Sequence, residues 1–325
     1  MMRDGNDVHV CEVGLRDGLQ NIQTFFPTDQ KVEWIKAEAA SGMPEIEVCS
    51  FVPPKLIPQF KDAKEVCAAA LEIKKDHPDL IISALMPNLR GGADGIEAGV
   101  DKLNYVTSVS EKHNMANVRK TSDESVEDFR KIVALRDEKA KETGKRVTLF
   151  AGLSTALGCT IEGPVDPAAV LRLAEKFLDA GADELAVADT VGYANPTQVK
   201  NLFKMLFDNL PKDVVLTVHL HDTRGLGIAN ANAALEAGVR RFDASLAGLG
   251  GCPYAPGATG NIVMDDLVFM LESMGLKTGV DLDKLVAVRE IVARNLPGEQ
   301  LYGGLAKSGP PKGYVPASQM AAAAE

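Results

Sequence analysis

Eight apolar segments of strand-like composition recur along the chain, and a segment with helical periodicity follows each of them. Strands that alternate with helices in this way form a parallel sheet whose neighbouring strands are joined by helical crossovers. The predicted strands are Val8–Val13, Glu45–Cys49, Leu80–Leu85, Lys102–Thr107, Val147–Ala151, Glu184–Ala188, Val214–His219 and Arg241–Ser245.

A glycine that recurs at the ends of predicted helices indicates how this sheet is arranged. Gly42, Gly99, Gly181 and Gly238 each follow a helix and precede strands 2, 4, 6 and 8, and glycine relieves the left-handed backbone of a helix end. A glycine that repeats at every second βα unit fits a closed barrel better than an open sheet. We therefore predict an α/β fold: a (βα)8 TIM barrel over residues 1–280, with a C-terminal helix and irregular tail over 281–325 that pack on it.

The composition argues against several classes of protein. With 35 Lys and Arg against 45 Asp and Glu, the net charge is −10, which disfavours a general binder of nucleic acid or of an acidic membrane. A local basic pocket for a phosphorylated ligand is compatible with this charge. The odd number of cysteines, five, predicts reduced thiols rather than disulfides. The lack of a long apolar run predicts no membrane span, and the lack of an apolar segment near the N-terminus predicts a cytoplasmic location.

In a barrel of this kind, functional residues lie at the carboxyl ends of the strands. His219 and His221 stand two residues apart at the end of strand 7, so both imidazoles can point to the same face. This spacing predicts a metal site. The alternative is that one imidazole points inward while the other is an ordinary packed or surface residue.

Strand 1 leads into Arg16, Asp17 and Gly18. When the barrel closes, strand 1 lies beside strand 8, with strand 7 one position further along. Asp17 could then complete a set of two imidazoles and one carboxylate, which suits Mg²⁺, Mn²⁺ or another divalent ion. The alternative for this segment is a turn with a surface ion pair.

A glycine-rich loop follows strand 8 and contains Cys252 and Asn261. A thiol in a loop that can approach a ligand closely is a candidate acid or base, and the Asn261 amide oxygen could bind the metal. The alternative is a phosphate-binding loop in which Cys252 is a small packing residue.

Carboxylates also occur at two other strands. Asp189 ends strand 6, where it could serve the site or only cap a helix. Glu45 and Glu47 share one face of strand 2, and an interior glutamate beside Arg16 would hold the guanidinium in place.

Taken together, these residues resemble the 3-hydroxy-3-methylglutaryl-CoA (HMG-CoA) lyase family, within the metal-dependent lyase and Claisen-condensing TIM-barrel superfamily. The matching segments cover roughly residues 8–295. They are Val13-Gly14-Leu15-Arg16-Asp17-Gly18-Leu19-Gln20-Asn21, Ser50-Phe51-Val52-Pro53-Pro54-Lys55, Pro87-Asn88-Leu89-Arg90-Gly91, His219-Leu220-His221-Asp222-Thr223 and the run from Gly248 to Asn261.

The resemblance implies a carbon–carbon lyase that cleaves a 3-hydroxyacyl-CoA into acetyl-CoA and, for HMG-CoA, acetoacetate, as in leucine catabolism. It implies a divalent metal, Mg²⁺ or Mn²⁺, and a homodimer. The metal ligands that it implies are Asp17, His219, His221 and Asn261.

The same resemblance assigns catalytic roles to further residues. Arg16 would stabilise the enolate and Cys252 would protonate the departing carbanion, while His219 or a water held by Asp189 would act as the base. Glu12, Glu47 and Asp189 would be supporting acids. Contacts to coenzyme A are predicted at Asn21 and Lys55.

Departures from the family pattern leave the acyl group open. Ile22-Gln23, Cys159-Thr160 and Arg224-Gly225-Leu226 stand where the family tends to have other residues. Citramalyl-CoA or a longer-branched 3-hydroxyglutaryl-CoA are therefore alternative substrates. A condensing enzyme of the isopropylmalate or homocitrate synthase type and a non-catalytic CoA-binding barrel are further alternatives, although condensing enzymes usually carry a large extra C-terminal domain.

Overall fold

A closed barrel of eight parallel strands forms the centre of the protein. The computed structural model describes residues 5–250 and 260–320. The strands pair in chain order, and the first closes the barrel against the last. They are β1 (His9–Glu12), β2 (Glu45–Ser50), β3 (Ile81–Met86), β4 (Lys102–Ser108), β5 (Thr148–Ser154), β6 (Glu184–Asp189), β7 (Leu216–Leu220) and β8 (Arg241–Ala244).

Helices follow the strands and surround the barrel, which confirms the predicted (βα)8 TIM-barrel fold. Each of the eight predicted strands corresponds to an observed one, with ends that differ by a few residues at most. The helices in the described ranges are α1 (Thr28–Ala40), α2 (Ala63–Lys74), α3 (Leu89–Ala98), α4 (Glu111–Val118), α5 (Ser122–Thr143), α6 (Pro167–Asp179), α7 (Pro196–Asn209), α8 (Gly227–Glu236), α9 (Met264–Ser273), α10 (Leu282–Asn295) and α11 (Leu305–Ser308).

The helix ends have local causes in the sequence. Thr121 forms a capping box with Glu124 at the start of α5, and the Asp166 carboxylate accepts a hydrogen bond from the backbone N–H of Ala168 at the start of α6. Gly99 ends α3 in the left-handed conformation, with φ of 79°. Gly238 has φ of 110° after α8, so the glycine repeat marks chain reversals before strands, as expected.

Paired charges close the barrel at the amino ends of its strands. The Lys102 ammonium lies 2.7 Å from Glu184 and 3.3 Å from Glu45, and the Arg241 guanidinium lies 2.9 Å from Glu184. The His9 imidazole lies 2.8 Å from Glu45. All five side chains are buried, so their charges are matched inside the barrel rather than in solvent. This ionic cluster leaves the carboxyl ends of the strands as the accessible end.

The segment after the eighth unit contacts the barrel helices. Helix α10 packs against α1, and Arg294 on α10 pairs with Glu33 on α1. This agrees with a packed C-terminal helix, while the division at residue 280 stays a prediction.

Cys11, Cys49, Cys67 and Cys159 are buried and not in disulfides. Among the described residues, no helix combines the length and apolarity needed to cross a membrane.

Candidate active site

A tight turn of π-helical geometry after β1, Gly14–Gly18, carries Arg16 and Asp17. The Glu12 carboxylate accepts a hydrogen bond from the backbone N–H of Gly14 at 2.6 Å. A Cβ at Gly14 would lie 2.5 Å from the Glu12 carboxylate and 2.8 Å from the Trp34 ring, so only glycine fits here. The turn is therefore held against the barrel rather than exposed.

Arg16 is buried, with 7% of its surface exposed, and it lies between two carboxylates. Its Nε donates to Glu47 at 2.5 Å and its Nη1 donates to Asp17 at 2.6 Å. Burial alone would lower the pKa of Arg16, but the charges of Glu47 and Asp17 raise it above its ordinary value. The interior glutamate thus holds the guanidinium as predicted, and the ion pair of Arg16 with Asp17 is buried rather than on the surface.

His219 on β7 and His221 directly after it both line the cavity at the barrel mouth. Their ring centroids are 5.1 Å apart, and their Nε2 atoms lie 3.8 Å and 3.4 Å from Asp17 Oδ2. His219 Nδ1 lies 3.2 Å from the Asp243 carboxylate, and His221 Nδ1 lies 3.2 Å from the backbone oxygen of Asp189. Each Nδ1 therefore carries a proton, which leaves the Nε2 atoms to face Asp17.

The pKa values of this group reflect its charges. Burial would raise the pKa of Asp17, but Arg16 and the two imidazoles hold it well below its usual range. Burial would lower the pKa of His219, but the hydrogen bond to Asp243 and the charge of Asp17 raise it above its ordinary value. Asp17 is thus ionised and attracts positive charge to the side of the cavity where the imidazoles lie.

Asn261 reaches the same group from the segment that follows β8. An isolated bridge pairs its backbone with that of His221, which fixes its position at the barrel mouth. Its Nδ2 donates to Asp17 Oδ2 at 2.7 Å. Its Oδ1 is buried and has no hydrogen-bond partner in the described part of the chain.

These atoms fit a divalent cation. Ligand atoms of Asp17, His219 and His221 lie within 4.8 Å of one another. These buried acceptor atoms lie close together, and that arrangement needs protons or a cation between them. Two imidazoles with one carboxylate form a set that divalent ions bind. The Asn261 amide, whose Nδ2 now contacts Asp17, would add its oxygen if the side chain turned to exchange Nδ2 and Oδ1.

One large cavity of about 960 Å³ opens beside this group. Arg16, Asp17 and both imidazoles line it, and so do Asn21 and Lys55, the two residues predicted to contact coenzyme A. Arg119 and Lys120, which the sequence reasoning did not single out, add positive charge to the lining. The protein as a whole is acidic, with a net charge of −10, but this cavity is bordered by basic side chains.

Two of the predicted supporting acids, Glu12 and Asp189, accept hydrogen bonds from backbone N–H groups. The Glu12 carboxylate also accepts a hydrogen bond from the Leu246 N–H at 2.9 Å, so it joins the loop after β1 to the segment after β8. The Asp189 carboxylate accepts hydrogen bonds from the backbone N–H groups of Tyr193 and Ala194 at 2.9 and 3.0 Å. Both carboxylates therefore shape the loops that surround the cavity.

Glu38 on α1 was not anticipated, because only the folded chain brings it to Glu12. Trp34 Nε1 donates to Glu38 at 2.7 Å, and both glutamates are completely buried. Burial raises the pKa of Glu12 to about 8. Burial and the neighbouring charge of Glu12 also raise the pKa of Glu38. The pair holds a proton at a pH where exposed glutamates have lost theirs.

Glu38→Gln is expected to make thermal stability less dependent on pH. Since the pKa of each glutamate is raised in the folded state, the native protein binds more protons than the unfolded chain, and stability falls as pH rises from about 4.5 towards 8. Glutamine keeps an acceptor for Trp34 but does not titrate. The Tm of the variant minus that of the wild type should therefore increase between pH 5 and pH 8. Equal differences at both pH values would contradict it, and the exposed Glu299→Gln is the matched control.

Asp243 is a second residue that the sequence reasoning missed. It lines the cavity and contacts His219, and the alternation of Arg241, Asp243 and Ser245 on strand 8 could have indicated that it points inward. Cys252 lies outside the described residues, so its predicted role stays a prediction.

Comparison with known proteins assigns the chain to a family. The HMGL-like family model matches residues 7–292. The chain belongs to the HMGL-like family. It is 39% identical over 298 residues to a hydroxymethylglutaryl-CoA lyase of Bacillus subtilis, covering 90% of this chain and 96% of that protein. It is 38% identical over 311 residues to the (R)-citramalyl-CoA lyase of Chloroflexus aurantiacus, covering 93% and 95%.

Solved structures agree with this family assignment. An HMG-CoA lyase from Acinetobacter baumannii, in complex with coenzyme A and 3-methylmalate, superposes with a TM-score of 0.85 at 40% identity, covering 97% of this chain and 99% of that one. The predicted enzyme class, a carbon–carbon lyase, and the resemblance to HMG-CoA lyases are confirmed. Members of the family depend on divalent metals, and the cluster of Asp17, His219 and His221 is a possible metal site.

Proposed function

We propose that this HMGL-like lyase cleaves HMG-CoA to acetyl-CoA and acetoacetate, using a divalent ion held by Asp17, His219, His221 and Asn261. The observation that carries the proposal is the convergence of a carboxylate, two imidazoles and a buried guanidinium at the mouth of one large cavity. The HMG-CoA lyases of Bacillus subtilis and Acinetobacter baumannii, similar along nearly their whole length, support the choice of substrate.

The metal would bind the 3-hydroxyl and distal carboxylate of the substrate and lower the pKa of that hydroxyl. The hydroxyl proton must pass to a base at the cavity. His219 lines the cavity and is hydrogen-bonded to Asp243, whereas the Asp189 carboxylate is used by two backbone N–H groups. The two backbone contacts disfavour a water held by Asp189 as the base, whereas His219 can accept the proton only at Nε2, so it acts as the base only while that atom does not bind the metal.

Arg16 stabilises the charge that develops when the carbon–carbon bond breaks. Its guanidinium lines the cavity, and Glu47 and Asp17 fix its position. A preorganised donor beside a developing enolate contributes on the order of 3 kcal/mol, since it needs no reorganisation during the reaction. Cys252 protonates the departing carbanion in this proposal.

Coenzyme A binds along the outer part of the cavity. Lys55, Arg119 and Lys120 line it, and positive side chains suit the phosphates of that group. Asn21, which also lines the cavity, offers polar contacts. We further propose that the protein is a homodimer in the cytoplasm, with a catalytic barrel over residues 1–280 and a packed segment over 281–325.

Cleavage of citramalyl-CoA to acetyl-CoA and pyruvate is a second candidate. It rests on the similarity to the (R)-citramalyl-CoA lyase of Chloroflexus aurantiacus. The sequence identity to that protein is 38%, against 39% for the Bacillus subtilis protein. Both reactions break the same type of bond and need the same residues at the metal, so the acyl part of the cavity decides between them.

The test is a product assay with and without EDTA. The purified protein should convert HMG-CoA to acetyl-CoA and acetoacetate, lose this activity in EDTA, and regain it with Mg²⁺ or Mn²⁺. Full activity in EDTA would contradict the metal site. A higher kcat/KM with citramalyl-CoA, measured as pyruvate, would assign the second candidate, and release of free CoA from acetyl-CoA plus 2-oxo acids would assign the condensing reaction instead.

A further inference from the structure

The carboxyl group of Glu38 on helix α1 contacts that of Glu12 and has no part in the reaction proposed above. Both side chains are completely buried. Trp34 Nε1 donates to Glu38 Oε1 at 2.7 Å, while Glu38 Oε2 is buried and receives no hydrogen bond from a donor among the described residues. An oxygen that no donor faces is where a neutral carboxyl group carries its proton, because a protonated oxygen donates rather than accepts.

The Glu12 carboxylate, in contrast, is surrounded by donors. The backbone N–H of Gly14 donates to its Oε1 at 2.6 Å, and the N–H of Leu246 lies 2.9 and 3.0 Å from its two oxygens. Hydrogen bonds of this kind favour the ionised form. Burial raises the pKa of both glutamates, but the contact between them lowers the pKa of Glu12 and raises that of Glu38. The proton that the pair holds therefore belongs to Glu38, whose O–H donates to Glu12.

A third buried carboxylate, that of Asp265 on α9, also faces this pair. After burial and the opposing hydrogen bonds, its charge is a further cause of the raised pKa of Glu12. Asp265 itself is paired with Arg289 on α10 at 3.0 Å. Neither Glu12 nor Glu38 forms an ion pair with a described Lys, Arg or His side chain, so only the proton on Glu38 prevents two like charges from meeting in this interior.

Glu12 connects the pair to the candidate active site. Its carboxylate holds the backbone of Gly14, the first residue of the turn that carries Arg16 and Asp17, and the backbone of Leu246 after β8. If Glu38 lost its proton, the two carboxylates would repel each other where no solvent screens them, and Glu12 would be displaced from these N–H groups. Arg16 and Asp17 would then leave the positions that the reaction requires.

We propose that Glu38 is a positioning residue for the lyase reaction: its neutral carboxyl group donates to Glu12 and thereby fixes the turn that carries Arg16 and Asp17. This inference rests on the proposed function and adds to it a residue that does not line the cavity. Catalytic groups must be held close to the geometry of the transition state, so a small displacement of the turn lowers the rate while the fold persists.

The first experiment compares Glu38→Gln with Glu38→Met in steady-state kinetics with HMG-CoA at pH 7. Glutamine reproduces a neutral carboxyl group, since its oxygen can accept from Trp34 and its amide N–H can donate to Glu12, whereas methionine has a similar length and does neither. Glu38→Gln should retain most of the wild-type kcat. Glu38→Met should lower kcat about tenfold and change KM little, as expected when a charged group loses one hydrogen bond. Glu33→Gln, on the exposed side of α1, is the matched control.

The second experiment uses the fluorescence of Trp34, the only tryptophan in the sequence, and needs neither metal nor substrate. Because the indole N–H donates to Glu38, its emission should respond when that carboxyl group loses its proton. The wild type should show no transition between pH 4 and pH 7 that Glu38→Gln lacks. Such a transition would show that Glu38 is ionised at neutral pH and would overturn the inference.

Equal kcat values for Glu38→Gln and Glu38→Met also overturn the inference, while cleavage of HMG-CoA by the wild type upholds the proposed function. Absence of cleavage by the wild type overturns the proposed function and this inference with it. If Glu38→Met fails to fold, Glu38→Leu replaces it in the kinetic comparison, and the fluorescence of the wild type and Glu38→Gln still decides where the proton lies.

Discussion

Asp17→Asn is expected to lower kcat/KM for HMG-CoA on the order of 10³-fold and to weaken Mn²⁺ binding. The substitution keeps the volume but removes the charge that faces both imidazoles at 3.4 and 3.8 Å. Metal ions contribute several kcal/mol to stabilising the transition state, and each 1.36 kcal/mol corresponds to about a factor of ten in rate. Steady-state kinetics and titration calorimetry with Mn²⁺ measure the two effects.

The two measurements should change together in Asp17→Asn, because under the proposed function one carboxylate supports both metal binding and catalysis. Asp208→Asn on the exposed surface of α7 is the matched control and should alter neither. Wild-type affinity for Mn²⁺ in Asp17→Asn would remove Asp17 from the ligand set and would leave only the barrel fold and the family as established.

Arg16→Lys is expected to reduce kcat about 10²- to 10³-fold, with metal binding much less affected. The guanidinium contacts Glu47 and Asp17 through two different nitrogens while it lines the cavity. An ammonium is a point charge and cannot reproduce this planar arrangement of donors, so the loss approaches that of a whole oxyanion donor. Single-turnover kinetics at saturating HMG-CoA isolate the chemical step.

The exposed pair of Arg294 and Glu33 provides the control for this substitution. Arg294→Lys should leave kcat unchanged, because a surface ion pair tolerates the exchange. Turnover of Arg16→Lys close to that of the wild type would show that charge alone suffices at this position, and the proposed role of the donor geometry would then be wrong.

Sequence periodicity predicted the strands and helices because each depends on neighbouring residues. The alternation of side chains along a strand also predicted that His219 and His221 share a face, and barrel closure brought Asp17 to them. The Glu12–Glu38 pair could not be predicted this way, because Glu38 lies on a helix whose orientation depends on packing around Trp34.

The packing of Asn104 against Gly152 also could not be predicted from local patterns. Asn104 and Gly152 stand in segments that the sequence describes simply as strands, and neither residue is unusual alone. Their significance comes from the close approach of the Asn104 oxygen to the position that a Gly152 side chain would occupy. That relation depends on the register between β4 and β5.

The ionic cluster of Lys102, Glu45, Glu184, Arg241 and His9 has a consequence for the order of events in turnover. Because this cluster fills one end of the barrel, reactants and products can enter and leave only at the other end. If the thioester enters acyl group first, the fragment formed at the bottom is trapped behind the nucleotide-bearing one. Under the proposed function, the products would then leave in a fixed order, with acetyl-CoA first and the small oxo acid second.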